Sequence, residues 1–442
     1  MSSDWPLVRL GEHCTKIGSG ATPSGGSNVY TDEGDICLIR SQNIHNSGFK
    51  SDGLVFISAD AANKLKNVIV EANDVLLNIT GDSVARVCLA KKEYLPARVN
   101  QHVAIIRPDE RNFDARYLCY QLSSAKMQAF LLGIAAVGAT RNALTKGMIE
   151  GLEVVKPPLA VQKTIADKLE SLDKKIELNR QTNQTLEQIA QALFKSWFVD
   201  FEPTRAKIAA KEAGASPEEI EHAAMCAISG KTPDQLDQLP PETQQNLKTT
   251  AALFPDVLVD SELGEVPDVW AIQKLEDIIE LAYGKALKKE DRIDGEFPVY
   301  GSGGVTGTNK ESLVNGPGII VGRKGTVGSL YWEDKNFFAI DTVFYVICKN
   351  NMTLEFSYYL LQTLGLEGMN TDAAVPGLNR NNAYRLEIVK APDQLISSFS
   401  NLTRTLRNSI RLNLEGIQSL QTIRDSLLPK LLSGELEVCG GE

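Results

Sequence analysis

Leu152-Glu153-Val154-Val155-Lys156-Pro157-Pro158 returns later in the chain as Leu386-Glu387-Ile388-Val389-Lys390-Ala391-Pro392. The spacing that carries Leu152 to Leu386 also carries Ile176 to Ile410, Asn179 to Asn413, Leu186 to Leu420 and Leu193 to Leu427. A fixed internal period is the first thing to settle about a chain, because it sets the architecture before any motif is weighed. Upstream the match loosens but keeps its order: Trp5-Pro6-Leu7-Val8-Arg9-Leu10 answers to Trp270-Ala271-Ile272-Gln273-Lys274-Leu275, and Tyr117-Leu118 to Tyr359-Leu360. The chain therefore reads as two halves, each a variable globular part followed by a similar helical part.

Each copy of the quoted stretch is a short β-branched run stopped by proline, which supplies no ladder N–H and ends the strand. Beyond it Ile165, Leu169, Leu172, Ile176, Asn179, Asn183, Leu186, Ala190, Leu193 and Trp197 alternate in steps of four and three. The second copy gives Phe399, Thr403, Leu406, Ile410, Asn413, Ile417, Leu420, Arg424, Leu427 and Leu431. That is the a/d spacing of a coiled coil. Two such helices in one chain are expected to pair with each other, with Asn179 and Asn413 as polar seam positions that fix register. Packing of each helix on its own globular part is the competing reading. About 35 residues at ~1.5 Å each make a rod of ~50 Å.

The globular parts hold strand-like runs such as Asp74-Val75-Leu76-Leu77-Asn78-Ile79 and Gly318-Ile319-Ile320-Val321 between Gly, Ser and Asn clusters. Helices are expected around 117–132 and 356–365. The fold class expected is mixed α+β: two globular domains in a pseudo-two-fold repeat, separated by a long antiparallel two-helix coiled coil. The boundaries are a first domain at 1–158, a helix at 159–201, an inter-repeat segment at 202–262, a second domain at 263–392, a helix at 393–435 and a tail at 436–442.

The net charge of −10 looks wrong for a nucleic-acid binder until it is located. Residues 200–269 carry fourteen acidic against five basic side chains, which accounts for nearly all of it. The remainder is close to neutral and free to carry local basic patches. This acidic, proline-punctuated segment includes a helix start at Ser216-Pro217-Glu218-Glu219; partner docking and plain linker are equal readings of it. Seven scattered cysteines with no C-x-x-C pair, and four separated histidines, point to neither a disulfide framework nor a metal site. No apolar run is long enough to span a membrane, and no leader is apparent, so a cytoplasmic location is expected.

Enzyme signatures are missing. Gly322-Arg323-Lys324-Gly325-Thr326 imitates only the end of a phosphate loop, and Lys156-Pro157-Pro158-Leu159 lacks the amide and aromatic ring of an adenine-methyltransferase motif. The Gly-Ser pairs at Gly18 and Gly301 read as turns rather than nucleophile elbows. No catalytic residue is assigned.

In this order, and on this repeat, several stretches together resemble the specificity subunit of a type I restriction–modification system. They are Ile39-Arg40-Ser41-Gln42-Asn43-Ile44, Lys156-Pro157-Pro158-Leu159, Leu193-Phe194-Lys195-Ser196-Trp197-Phe198-Val199-Asp200-Phe201 and Asp260-Ser261-Glu262-Leu263-Gly264-Glu265-Val266-Pro267. Val299-Tyr300-Gly301-Ser302-Gly303-Gly304, Gly322-Arg323-Lys324-Gly325, Val375-Pro376-Gly377-Leu378-Asn379-Arg380 and Leu427-Leu428-Pro429-Lys430-Leu431-Leu432-Ser433-Gly434 complete the set. The family often follows its proline pair with Glu-Gln, whereas here Gln162 follows Val161 and Gln394 follows Asp393.

The resemblance implies two target-recognition domains, each reading one half of a split sequence in double-stranded DNA, with the coil as a ruler for the unread gap. It implies two modification subunits that methylate adenine with S-adenosylmethionine, and restriction subunits that translocate and cleave with ATP and Mg2+. No cofactor is then expected on this chain itself. A stand-alone DNA-binding regulator or decoy, an enzyme with an unrecognised site, and a scaffold that binds no DNA are the rival readings.

Base edges are read by Arg, Lys, Asn and Gln, and phosphates by cations, hydroxyls and glycine-rich turns. In the first domain the DNA-binding candidates are Arg40, Gln42, Asn43, Asn78, Thr80, Asn100, Gln101, Arg141 and Asn142. In the second they are Lys285, Tyr300, Arg323, Lys324, Asn379 and Arg380, with Lys288, Lys289 and Asn381 nearby. Each competes with a plain turn or solubility role. Phe194, Trp197, Phe198 and Phe201, at the end of the first helix, are candidates for docking a partner; packing on the neighbouring domain is the alternative.

Overall fold

The computed structural model describes residues 5–136, 142–369 and 377–436. It divides into two compact units, one of Met1–Leu178 with Gly416–Glu442, the other of Asn179–Glu415. The division falls inside the two long helices rather than at the strand-to-helix junctions. The helices themselves run Leu159–Phe198 and Asp393–Leu432. Among the described residues no helix is long and apolar enough to cross a membrane.

In the first unit Leu7–Arg9 pairs antiparallel with Glu153–Val155, joining the start of the globular part to its last strand. The main sheet runs in the order Cys14–Ser19, Val103–Pro108, Val75–Asn78, Val87–Leu89, every pair antiparallel. Val75–Asn78 is buried on both faces, which is why its sequence is continuously apolar up to the final amide rather than alternating. A second sheet sets Ala97–Val99 parallel to Cys37–Ile39. Asp114 caps the helix Ala115–Ser123 by accepting from the N–H groups of Arg116 and Tyr117. A further helix, Ala125–Ala136, follows it, so the single helix expected around 117–132 is two.

The first unit also holds its own pair of helix ends. Ile165, Ala166 and Leu169 are fully buried in one apolar cluster with Tyr117, Leu118, Leu428 and Leu431. Arg424 Nη1 donates to Asp173 at 2.8 Å, so the two segments run antiparallel. Gln162 is buried and ties the helix start to its domain: its Nε2 donates to the carbonyls of Asn112 and Pro157, and its Oε1 accepts from the N–H of Asp114. Gln394 is exposed, so this tie belongs to one copy alone.

The second unit repeats the plan. Ala271–Lys274 pairs antiparallel with Glu387–Lys390. The main sheet runs Ile279–Tyr283, Val343–Cys348, Gly318–Gly322, Leu330–Glu333, again all antiparallel. Phe297–Gly301 lies parallel to Phe338–Ala339. Thr353 caps the helix Leu354–Thr363, close to where the sequence placed it. The mixed α+β class and the two-fold repeat are thus present: the four-stranded main sheets correspond, while the second sheet has four strands in the first unit and three in the second.

In this unit the two helices meet through polar as well as apolar side chains, with Asn179 and Thr403 both buried. Asn413 Nδ2 donates to Asn183 Oδ1 at 2.8 Å, and Asn183 Nδ2 donates to the carbonyl of Ile410 at 3.3 Å. Asn179 is buried, but Asn413 meets Asn183, because antiparallel helices set sequence-equivalent positions apart. Arg407, nearby, donates to Glu187 at 3.2 Å and lies 4.2 Å from the Trp332 ring centroid and 4.8 Å from that of Tyr358.

The docking role expected for Phe194, Trp197, Phe198 and Phe201 is overturned: all four are buried, with exposures of 2, 2, 6 and 7%. Phe194 packs on Phe399, Trp197 on Phe254, and both Phe198 and Phe201 on Trp270, with ring centroids 5.6–6.0 Å apart. Phe399 belongs to the second long helix, while Trp270 comes from just beyond the acidic segment and Phe254 from within it. That segment folds as helices Glu202–Glu212, Pro217–Ser229, Pro233–Asp237 and Pro241–Ala251. It contributes Met225, Ile228, Leu236 and Phe254 to the same core. It is therefore packed structure and no plain linker. Its acid side chains face outward while a thin apolar stripe faces in, a division that composition alone conceals.

Candidate nucleic-acid interface

In the second unit the last residue of Ile279–Tyr283, the last of Gly318–Gly322 and the first of Val343–Cys348 lie at one end of the sheet, since Tyr283 pairs with Phe344 and Gly322 with Val343. The chain leaves that end through close backbone approaches. The N–H groups of Arg323 and Lys324 both donate to the carbonyl of Thr342, at 2.9 and 3.1 Å. A Cβ on Gly284 would stand 2.0 Å from the carbonyl oxygen of Ile340, so only glycine lets these two loops meet. Leu378 N–H donates to the carbonyl of Arg323 at 2.8 Å, which brings the Asn379-Arg380 turn to the same place. Asn379 then caps the short helix Arg380–Tyr384 by accepting from the N–H groups of Asn381 and Asn382.

The result is a cluster around one exposed ring. The guanidinium carbons of Arg323 and Arg380 lie 4.8 and 4.6 Å from the centroid of Tyr283, which is 46% exposed. Arg323 Nη1 donates to the carbonyl of Asp341 at 3.1 Å. Lys285 and Lys324 stand exposed on the same loops. The sequence-derived candidates Lys285, Arg323, Lys324, Asn379 and Arg380 are therefore brought together. Tyr300 is not among them: it is buried, and its hydroxyl donates to Glu333 at 2.9 Å. Burial and that carboxylate push its pKa well above the ordinary phenol value.

The first unit builds the same loop ends with other side chains. Gly20 occupies the place of Gly284, with its Cβ position 2.1 Å from the carbonyl oxygen of Asn100. Leu144 N–H donates to the carbonyl of Ile79 at 2.8 Å, as Leu378 does to that of Arg323. Thr80 bridges to Ala143 as Lys324 does to Gly377. Here the side chains form a hydrogen-bonded row: Thr22 donates to Gln101 Oε1, Gln101 Nε2 meets His102 Nε2 at 2.9 Å, and His102 Nδ1 meets the Thr80 hydroxyl. Gln101 and Asn142 are exposed. Arg141 lies outside the described residues.

Three first-domain candidates are corrected. Asn43, Asn78 and Asn100 are buried at 0, 0 and 6%. Asn43 donates to the carbonyls of Lys50 and Asp52, Asn78 donates to that of Ser41, and Asn100 accepts from the N–H of His102. Buried amides of this kind close loops, since an unpaired polar group costs about 1–3 kcal/mol. Arg40 and exposed Gln42 both donate to the carbonyl of Gly53, and the Arg40 guanidinium lies 5.6 Å from the Tyr30 ring. They sit on a separate loop of the same unit.

Sequence reasoning missed Tyr283, Thr22, His102 and Asp341. A signal existed. Ser19-Gly20-Ala21-Thr22 and Tyr283-Gly284-Lys285-Ala286 occupy the same turn, as do Asn100-Gln101-His102-Val103 and Ile340-Asp341-Thr342-Val343. The pairs share too few residues to be aligned without the sheets.

A duplicated α+β domain followed each time by a long helix, with variable polar side chains gathered on one equivalent set of loops, defines a two-module binding protein. The family model described as "Type I restriction modification DNA specificity domain" matches residues 2–188 and 267–382, and the chain belongs to that family. It is 34% identical over 335 residues to the type I restriction enzyme HindI specificity subunit of Haemophilus influenzae, covering 66% of this chain and 71% of the relative. It is 25% identical over 452 residues to the MjaIX specificity subunit of Methanocaldococcus jannaschii, covering 98% and 94%. The solved S subunit of a type I restriction–modification system from M. genitalium shares the fold with a TM-score of 0.53 at 19% identity, over 97% of this chain and 96% of that one.

Proposed function

We propose that this chain is a DNA-addressing subunit whose two domains each read one half of a split double-stranded target, with the two long helices setting the length of the unread gap. The observation that carries the reading is the pair of loop clusters. One scaffold is built twice, down to the glycines at Gly20 and Gly284, yet it presents Thr22, Gln101 and Thr80 in one copy and Tyr283, Arg323, Lys324 and Arg380 in the other. A repeated frame with different donors and acceptors suits recognition of two different short sequences, because base edges are distinguished by donor and acceptor pattern.

The bond-making and bond-breaking are assigned to partners. Two modification subunits bind S-adenosylmethionine and methylate adenine, docking on the helices and the domains beside them. Restriction subunits use ATP and Mg2+. This chain acts with them in the cytoplasm, holds no cofactor and supplies the address alone. The test is a methylome: the chain is expressed with its neighbouring modification gene in a methylation-free host, and adenine methylation is sequenced. A new split motif with a fixed gap, absent without this gene, supports the reading. No motif, with an intact partner expressed, leaves a stand-alone DNA binder.

A further inference from the structure

The clusters at the two sets of loop ends differ in one respect that bears on which base is read. Arginines elsewhere in the chain are commonly neutralised: Arg107, Arg116, Arg404, Arg407 and Arg424 each pair with a carboxylate. Arg323 and Arg380 have no carboxylate partner among the described residues, although both guanidinium groups lie within 5 Å of the same Tyr283 ring centroid. Two cations gathered on one ring repel each other, and among the described residues no ion pair offsets them. Arg380 makes no side-chain hydrogen bond among the described residues, and its Nε is buried without a partner. Arg323 spends one donor on the carbonyl of Asp341. Both forks are thus oriented by an aromatic face and keep donors for a ligand.

A guanidinium held in a fixed plane suits bidentate recognition, which a phosphate held by point charge does not require. Point charges are already supplied on the same loops by exposed Lys285 and Lys324. Guanine is the base whose major-groove edge offers two acceptors, O6 and N7, side by side. Resting on the reading above, we propose that Arg323 and Arg380, oriented by Tyr283, are specificity-determining residues that read guanine in the half-site of the second domain. At the matching positions the first domain has Ser19, Ile79 and Lys146, so its half-site is read without this device.

The experiment uses the chain assembled with its modification subunit. Arg323→Lys and Arg380→Lys keep the charge and remove the fork, and their folding is checked by an unchanged unfolding midpoint. Methylation motifs are sequenced for each, and binding is measured to duplexes carrying 7-deazaguanine in place of guanine. The expected result is a G·C pair in one half-site, at which the variants lose about 5- to 150-fold of discrimination while the other half-site is unchanged. The 7-deaza duplexes should bind the parent complex more weakly and the variants equally. A variant-insensitive motif, half-sites without G·C, or an equal loss on every sequence with a shallower salt dependence overturns guanine reading, the last in favour of phosphate contact. Absence of any split motif would instead bring down the function on which the inference rests.

Discussion

Asn413 donates its side-chain amide to Asn183 Oδ1 at 2.8 Å, across the seam between the two long helices. A polar pair in such a seam lowers stability and selects one register, because any slip leaves a buried amide unpaired. The double replacement Asn183→Leu with Asn413→Leu is expected to raise the unfolding midpoint. It should also loosen the fixed gap of the methylated motif, read by sequencing. A more stable protein with an unchanged single gap length would remove the register role.

Arg407 joins the second helix to the first through Glu187 and to its domain through Trp332 and Tyr358, and its side chain is 11% exposed. Arg407→Ala leaves Glu187 without its cation and two rings without a neighbour. A loss of about 2–4 kcal/mol is expected in denaturant unfolding. Arg407→Lys should recover only part of it, since an ammonium does not stack as a guanidinium does.

Trp197 and Phe198 are core residues, so Trp197→Ala or Phe198→Ala should cost about 3–5 kcal/mol and loosen the acidic helices toward proteolysis. Selective loss of modification-subunit binding at full stability would restore the docking role.

Gly284→Ala and Gly20→Ala force a Cβ against a carbonyl oxygen, about 2 Å away in each case. Each is expected to disturb reading of one half-site and leave the other intact, measured as the methylation motif of the assembled complex. Identical effects from both substitutions would argue against two separate reading heads.

Burial pushes the thiols of Cys14 and Cys88 from 9.0 up to about 12. The folded chain therefore keeps protons that the unfolded chain releases. This contribution is fully present below about pH 9 and is lost as pH rises toward about 12. Unfolding midpoints should fall across that window, less steeply in Cys88→Ala, and both thiols should resist alkylation near neutral pH until the protein is unfolded.

The repeat, the two long helices and the family were legible in the chain before any fold was known, because heptad spacing and proline-stopped strands are local patterns that survive drift in the loops. The sequence also picked out Arg323, Lys324, Arg380 and Gln101, which stand at glycine and asparagine turns. Which polar residues are free to read anything depended on packing. Asn43, Asn78 and Asn100 carry the same chemistry as Gln101 but are consumed in closing loops, and Tyr300 is spent on Glu333 while Tyr283 stays open. The aromatic stripe from Phe194 to Phe201 likewise looked like a docking face until the acidic helices and Trp270 were seen to cover it. Whether a side chain is spent inside the fold depends on contacts made across dozens of residues of sequence, and no local pattern records them.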